Sequence, residues 1–288
     1  MPRKIIVFGA SGMLGSALDS ELKTHGHTVI APDFPGIDIR DAQKIADYVK
    51  ANHPDAIVNC AGFTQVDRCE TEQELAFELN GRALENIAES ANRAGCVVFH
   101  ISSDYIFSGS KPGEYLEEDS PGPLSVYGKS KLLGEENVKN GAKRFCIIRT
   151  SWLFGPGGEN FVTKLLKKSR EFEGELKVVS DERGRPTYSR DLAQIIRLAL
   201  EKELRGIYHF CNRGVVSWFE YAGEIFEIMG EHRKLVPVSA REYGLLAQRP
   251  GNSALGTRKI EKDLGLKIRH HREALTEYIS LLELAREK

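Results

Sequence analysis

The chain has 288 residues, which at roughly 150 per domain makes about two domains, or one large α/β domain with an appendage. Hydrophobic residues at 41%, charged residues at 28% and 11 prolines describe a folded protein and exclude disordered, collagen-like and low-complexity classes. Lys and Arg number 40 against 41 Asp and Glu, so the net charge of −1 argues against a surface dominated by nucleic-acid or anionic-membrane binding.

The first apolar run, Ile5 to Phe8, follows Met1-Pro2-Arg3-Lys4 and reads as a strand, not as a signal peptide. No apolar run reaches the roughly 18 residues of a membrane span, so no membrane partner and a cytoplasmic location are expected. Further strands are predicted at Thr28 to Ala31, Ala56 to Cys60, Val97 to Ser102, Phe145 to Thr150, Lys177 to Ser180 and Ile207 to Phe210. Between them lie 3.6-residue apolar patterns such as Leu14, Ala17, Leu18, Leu22 and Ala83, Leu84, Ile87, Ala88, Ala91. That alternation predicts an α/β fold, a Rossmann-like doubly wound parallel sheet, because parallel strands need helical crossovers. Residues 1–152 read as the dinucleotide-binding core and 153–288 as a smaller, mixed substrate-binding region with returning Rossmann elements. In the latter, turn-rich stretches (Gly155 to Gly158, Arg183 to Thr187, Gln248 to Ser253) look like binding loops. Ser217-Trp218-Phe219-Glu220 predicts a capping box and a helix to about Met229, and Ala274, Leu275, Tyr278, Ile279 and Leu282 mark one face of a last helix. Cys60, Cys69, Cys96, Cys146 and Cys211 contain no CxxC pair and read as buried, reduced thiols.

Strand one runs into Gly9-Ala10-Ser11-Gly12-Met13-Leu14-Gly15. Glycines there allow a tight turn and close backbone approach to a pyrophosphate, whose charge the following helix N-terminus attracts, so Gly9, Ser11, Gly12, Met13, Leu14 and Gly15 are expected to hold a dinucleotide. Asp33, 18 residues past Gly15 and at the end of strand two, is placed to accept from the ribose hydroxyls. It would favour NADH over NADPH slightly, and the alternative is a solvated turn aspartate. Asp38 and Ile39 are candidates to flank the adenine, and Cys60, Ala61 and Gly62 to floor the cofactor.

Strand four ends in Ser102-Ser103-Asp104, and Tyr127-Gly128-Lys129-Ser130-Lys131 follows. A spacing of four puts Tyr127 and Lys131 on one helix face, where Ser103 can meet them. The adjacent cation is expected to lower the phenol from its ordinary value of about 10 toward useful acid-base range. Joined to the glycine motif, these residues resemble the extended short-chain dehydrogenase/reductases and, among them, the dTDP-4-dehydrorhamnose reductase family. The likeness extends over essentially the whole chain through Asn59 to Asp67, Ile101 to Phe107, Val126 to Lys131, Arg149 to Trp152, Arg185 to Thr187 and Arg249 to Ser253. It implies Ser103, Tyr127 and Lys131 as the catalytic trio, Tyr127 and Lys131 also touching the cofactor. Sugar contacts are implied near Thr64, Val66 and Trp152, with Asp104 and Tyr105 beside them. The family more often has threonine at 103 and alanine at 62.

The implied reaction is NAD(P)H-dependent reduction of the 4-keto group of a dTDP-deoxysugar, dTDP-4-dehydro-L-rhamnose to dTDP-L-rhamnose. A nucleotide-sugar epimerase or dehydratase, and a non-catalytic NAD(P)-binding regulatory subunit resembling that of methionine adenosyltransferase, are the alternatives. Trp152 reads either as core or as a flat face for the sugar; Arg185 and Arg249 read as surface residues or as bidentate donors to the diphosphate. His100, His209, His270 and His271 lack metal-ligand spacing. Some relatives are dimers bridged by a metal through acidic residues just after the glycine motif, where Ser16 and Ala17 stand here; a homodimer is allowed for, a metal is not expected.

Overall fold

The first strand, Lys4–Phe8 (β1), is apolar on both faces, with Ile5, Ile6 and Val7 fully buried, as a strand covered by helices on both sides must be. The computed structural model describes residues 1–32 and 35–284. After β1 come α1 (Met13–Thr24), β2 (Thr28–Ile30), α2 (Ala42–Asn52), β3 (Ala56–Asn59), α3 (Val66–Thr71), α4 (Gln73–Phe77), α5 (Ala83–Ala94), β4 (Val97–Ser103), α6 (Val126–Gly141) and β5 (Phe145–Thr150). Beyond β5 lie β6 (Leu153–Phe154), α7 (Phe161–Glu171), β7 (Leu176–Val179), β8 (Arg183–Gly184), β9 (Thr187–Tyr188), α8 (Ser189–Glu201), β10 (Gly206–His209), β11 (Val216–Ser217), α9 (Trp218–Ile228), β12 (Leu235–Val238), α10 (Ala240–Tyr243), α11 (Arg258–Leu264) and α12 (His271–Leu284).

Six strands form one parallel sheet in the order β10-β5-β4-β3-β1-β2. Alternate residues of β1 point into two different cores: Ile5 and Val7 pack with α1 and α8, while Ile6 and Phe8 pack with α2 and α5. The chain leaves β1 outward to β2 and returns to β3 on its other side, so the topological switch lies between β1 and β3. Ligands of such sheets bind there, outside the carboxyl ends of the strands.

A third core, built on Phe154, Leu166, Tyr188, Tyr221, Phe226 and Tyr278, holds the C-terminal elements. The predicted helix at Ser217 is α9, and its capping box forms as expected: Ser217 Oγ accepts from Glu220 N while Glu220 accepts from Ser217 N. The predicted strand at Lys177 exists as β7, but it stands outside the six-stranded sheet and pairs in parallel with β12. Its alternating apolar residues, Leu176 and Val178, are buried on the α7 and α9 side, and that packing, invisible to a strand pattern, chooses its partner.

Candidate active site

The cofactor end is a matter of backbone. Gly9 has φ +76°, and a Cβ there would lie 2.6 Å from Ala61 N; a Cβ on Gly15 would lie 2.0 Å from Gly9 O. The turn between β1 and α1 therefore closes only with glycine at both positions. Gly12 caps α1 without any side-chain hydrogen bond, and no acidic residue stands in the first turn. Uncapped N–H groups of a 12-residue helix next to exposed Ser11 and Gly12 suit a dinucleotide pyrophosphate. Met13 is half-buried and Leu14 buried against the sheet.

The other proposed cofactor residues are placed less uniformly. Asp33 lies outside the described residues. Asp38 is spent on Arg40, Nη2 to Oδ2 at 2.6 Å, which holds its carboxyl below the usual range; Arg40 also reaches Glu78 at 3.2 Å. Ile39 is a core side chain packed in the cluster of Ile6, Phe8 and Ile45, so its side chain is not a face for adenine. Cys60 and Ala61 follow β3 and are half-buried, whereas Gly62 is exposed. A methyl group on Gly62 would meet Asn80 Oδ1 at 2.8 Å, the atom that accepts from Phe63 N. Glycine here keeps room for that anchor.

The chemical residues converge at the end of β4. Ser103 caps a 3₁₀ turn, Asp104–Ile106, its Oγ accepting from Tyr105 N at 3.2 Å and donating to Asp104 Oδ1 at 3.0 Å. Ser125 caps α6, which fixes Tyr127 and Lys131 one turn apart on the face toward β4, both buried. The Tyr127 ring meets Tyr105 edge-on at 5.4 Å, and the Ser103 side chain is near enough to favour its phenolate. Lys131 Nζ donates to Ile101 O at 2.6 Å; burial brings it down to about 8, against the pull of Glu135 and Cys60.

The expected lowering of the tyrosine does not occur. Burial pushes the Tyr127 phenol up, and the group that opposes this is Ser103; the Lys131 ammonium is spent on the Ile101 carbonyl. A long lysine side chain, leaning toward the helix N-terminus, reaches the strand backbone beneath, a direction the four-residue spacing does not specify. Asp104 is sealed in at 1% exposure, and burial pushes its carboxyl up to about 7.

Beside this group opens a cavity of about 400 Å³. Tyr105 and Arg249 line it, as do Asp67, Phe161, Lys164, Lys168, Glu182, Trp218 and Tyr243, none of which was expected as a site residue. Arg249 donates to both oxygens of Asp67, at 3.3 and 2.8 Å. Trp152, with φ 46°, stacks flat on Trp218 with centroids 3.4 Å apart, so Trp218 supplies the cavity wall and Trp152 backs it. Gly184 makes that possible, since a Cβ there would sit 2.6 Å from Trp152 Cε2. Trp218 Nε1 donates to Glu182 at 3.2 Å, a buried carboxyl that desolvation raises. The sequence signal for Trp218 was its capping-box position, which concealed its ring. Exposed Thr64 precedes α3 and half-buried Val66 begins it, packing against the buried cluster that includes Tyr127. Arg185, expected at the diphosphate, is not among the residues lining this cavity; it is buried and paired with Glu114.

With a phosphate-ready helix end, a Ser/Tyr/Lys group and an aromatic, basic cavity in one molecule, the comparison with known proteins becomes decisive: residues 3–284 match the RmlD substrate binding domain. The chain belongs to the RmlD family. Its RmlD relatives include the spore coat polysaccharide biosynthesis protein SpsK of Bacillus subtilis, 42% identical with 96% of each chain covered. The dTDP-4-dehydrorhamnose reductase of Escherichia coli K12 is 36% identical, with 91% of this chain and 92% of the relative covered. Among solved RmlD structures, the reductase of Bacillus anthracis in complex with NADP superposes with a TM-score of 0.93 at 34% identity, covering 97% of this chain and 99% of that one. These matches bear out the resemblance and the Rossmann-like fold read from the motifs. Among the described residues no group of His, Cys, Asp and Glu is arranged to hold a metal, and no helix is long and apolar enough to cross a membrane.

Proposed function

We propose that the chain catalyses NAD(P)H-dependent reduction of the 4-keto group of a dTDP-deoxysugar, with dTDP-4-dehydro-L-rhamnose as substrate and dTDP-L-rhamnose as product. The observation that carries this reading is that Ser103 and Tyr127 come together at the end of β4, with Tyr105 of the same 3₁₀ turn lining the cavity that Arg249 also lines. Residues 1–152 form the cofactor-binding part in this reading, and 153–288 carry most substrate loops.

The bound nicotinamide supplies the hydride taken up by the carbonyl carbon. The Gly9–Gly15 turn and the first amides of α1 would hold its pyrophosphate, with Cys60, Ala61 and Gly62 near the ribose end. Tyr127, kept protonated by burial, donates its proton to the alkoxide that forms. Ser103 stabilises the same oxygen by a hydrogen bond. Lys131 would hold the ribose hydroxyls. Arg249, Lys164 and Lys168 offer cations to a diphosphate, and Trp218, Phe161 and Tyr243 offer faces to the base and sugar; Thr64, Val66 and Trp152 stay assigned to the sugar side. A carboxylate at Asp33 would favour NADH without excluding NADPH. Five unpaired cysteines support a reducing, cytoplasmic setting.

The test is cofactor oxidation by the purified chain alone with a panel of dTDP- and UDP-4-keto sugars. Stoichiometric consumption of NAD(P)H with the dTDP sugars is expected. Product formed without net cofactor consumption would make the chain an epimerase or dehydratase, and no turnover without a partner would make it a binding subunit.

A further inference from the structure

Asp104 is a carboxyl closed into the protein directly behind the serine of the site. Its Oδ1 meets Ser103 Oγ at 3.0 Å, and its Oδ2 is buried without a hydrogen-bond partner. Ser253 is near enough to favour the charged form, but its Oγ is directed at Arg183 O at 3.5 Å. A carboxylate in this position would leave charge on a dry, unpartnered oxygen, whereas the neutral acid leaves only a weak acceptor there.

The serine hydroxyl has one hydrogen and two lone pairs. Tyr105 N–H takes one lone pair at 3.2 Å. An ionised Asp104 can only accept, so it draws the single Ser103 hydrogen to itself and leaves none for a substrate oxygen. A protonated Asp104 donates to the second lone pair, and the Ser103 hydrogen is then free to turn toward the oxygen that Tyr127 protonates. We propose that Asp104 is a positioning residue that works in its neutral form, holding the Ser103 hydroxyl as a donor toward the reacting carbonyl oxygen, so that reduction slows as Asp104 ionises. The proposal rests on the carbonyl-reductase reading of the site and gives Asp104 a role other than sugar contact.

Burial alone holds Asp104 toward the neutral form, since Ser253, Ser103 and the backbone N–H groups of Asp104 and Tyr105 all favour the charged one. Tyr105 is its neighbour in the 3₁₀ turn, Tyr127 faces it from α6, Cys211 from the segment after β10, and Ser253 from the C-terminal loop. Arg185 and Glu114, paired with each other, act on Cys211; Arg249 and Glu182 act on Tyr105. Burial is the largest influence on Asp104 and sets it at about 7.

Two measurements decide the matter. In infrared difference spectra of wild type against Asp104→Asn, a protonated carboxyl band is expected at about pH 6 and should vanish with a midpoint near neutrality; a residue ionised throughout overturns the proposal, whatever the activity. In kinetics, wild-type kcat should fall along an alkaline limb with the same midpoint. Asp104→Asn, whose amide donates at every pH, should retain kcat within about tenfold at about pH 6 and lose that limb. An unchanged limb in Asp104→Asn overturns the proposal. A wild type that consumes no cofactor with any 4-keto sugar overturns the reductase reading instead, and the infrared titration still judges Asp104.

Discussion

At the proposed pyrophosphate turn, the groups on offer are backbone N–H groups of one continuous stretch, Gly9–Gly15. At the substrate end, side chains from distant segments face one another: Asp67 meets Arg249 across 182 positions, and Trp152 finds Trp218. The first end rests on backbone sterics, inside the turn at Gly15 and against Ala61 at Gly9, the second on packing between side chains. The cofactor end should therefore fail through backbone substitutions that leave the sugar wall alone, and the sugar wall through side-chain changes that leave cofactor affinity alone.

The largest effect belongs to the group between the two ends. Tyr127→Phe removes one proton donor, and kcat should fall by about 10²–10⁴ with cofactor affinity unchanged; near-normal turnover would remove Tyr127 from its role. Gly15→Ala tests the first end. Its methyl group would lie 2.0 Å from Gly9 O and 2.6 Å from Ala10 Cα, backbone that cannot give, so a loss of about 1–3 kcal/mol in stability and of cofactor binding is expected, read by thermal melting and fluorescence titration.

Arg249→Ala tests the second end. It should raise KM for the dTDP-sugar about tenfold, as loss of a charge-assisted bond does, without moving the cofactor Kd. Asp67→Asn releases the Arg249 guanidinium for substrate, so it should lower KM or leave it in place; an equal rise would mean that the pair, not the free cation, shapes the wall.

Asp104 adds a pH term. Its folded value, about 7, stands above the ordinary 3.8, so the folded chain holds the extra proton between these values and the group's contribution to stability is lost as pH rises through that window. The melting temperature of Asp104→Asn should therefore gain on wild type between about pH 5 and about pH 8. The smallest effect is expected from Asp33→Ser, a few-fold move of the kcat/KM ratio toward NADPH; a wild type that already prefers NADPH strongly, with no change on substitution, would make Asp33 a turn residue.

Much of this was legible in the amino-acid sequence because it is local. The periods of the central strands and flanking helices, the glycine turn and the spacing of Tyr127 and Lys131 each depend on residues within a few positions of one another. The α9 capping box was equally plain for the same reason. What the pattern could not carry was the choice of partner. Lys177 to Ser180 read as a strand, but only the α7 and α9 packing sent it to β12 rather than to the central sheet. Arg185 and Arg249 looked alike beside their prolines, yet one pairs with Glu114 away from the cavity and the other lines it.

Electrostatics divides the same way. The kinds of titratable group and their order along the chain belong to the sequence, whereas the raised phenol of Tyr127, the lowered ammonium of Lys131 and the carboxyl of Asp104 near neutrality follow from burial. Desolvation depends on everything that closes over a group, and for these three the cover comes from segments far away in the chain. The sequence by itself therefore determined the sheet and the glycine turn between β1 and α1; tertiary structure alone decided which charges meet, which ring lines the cavity and in which form each acid waits.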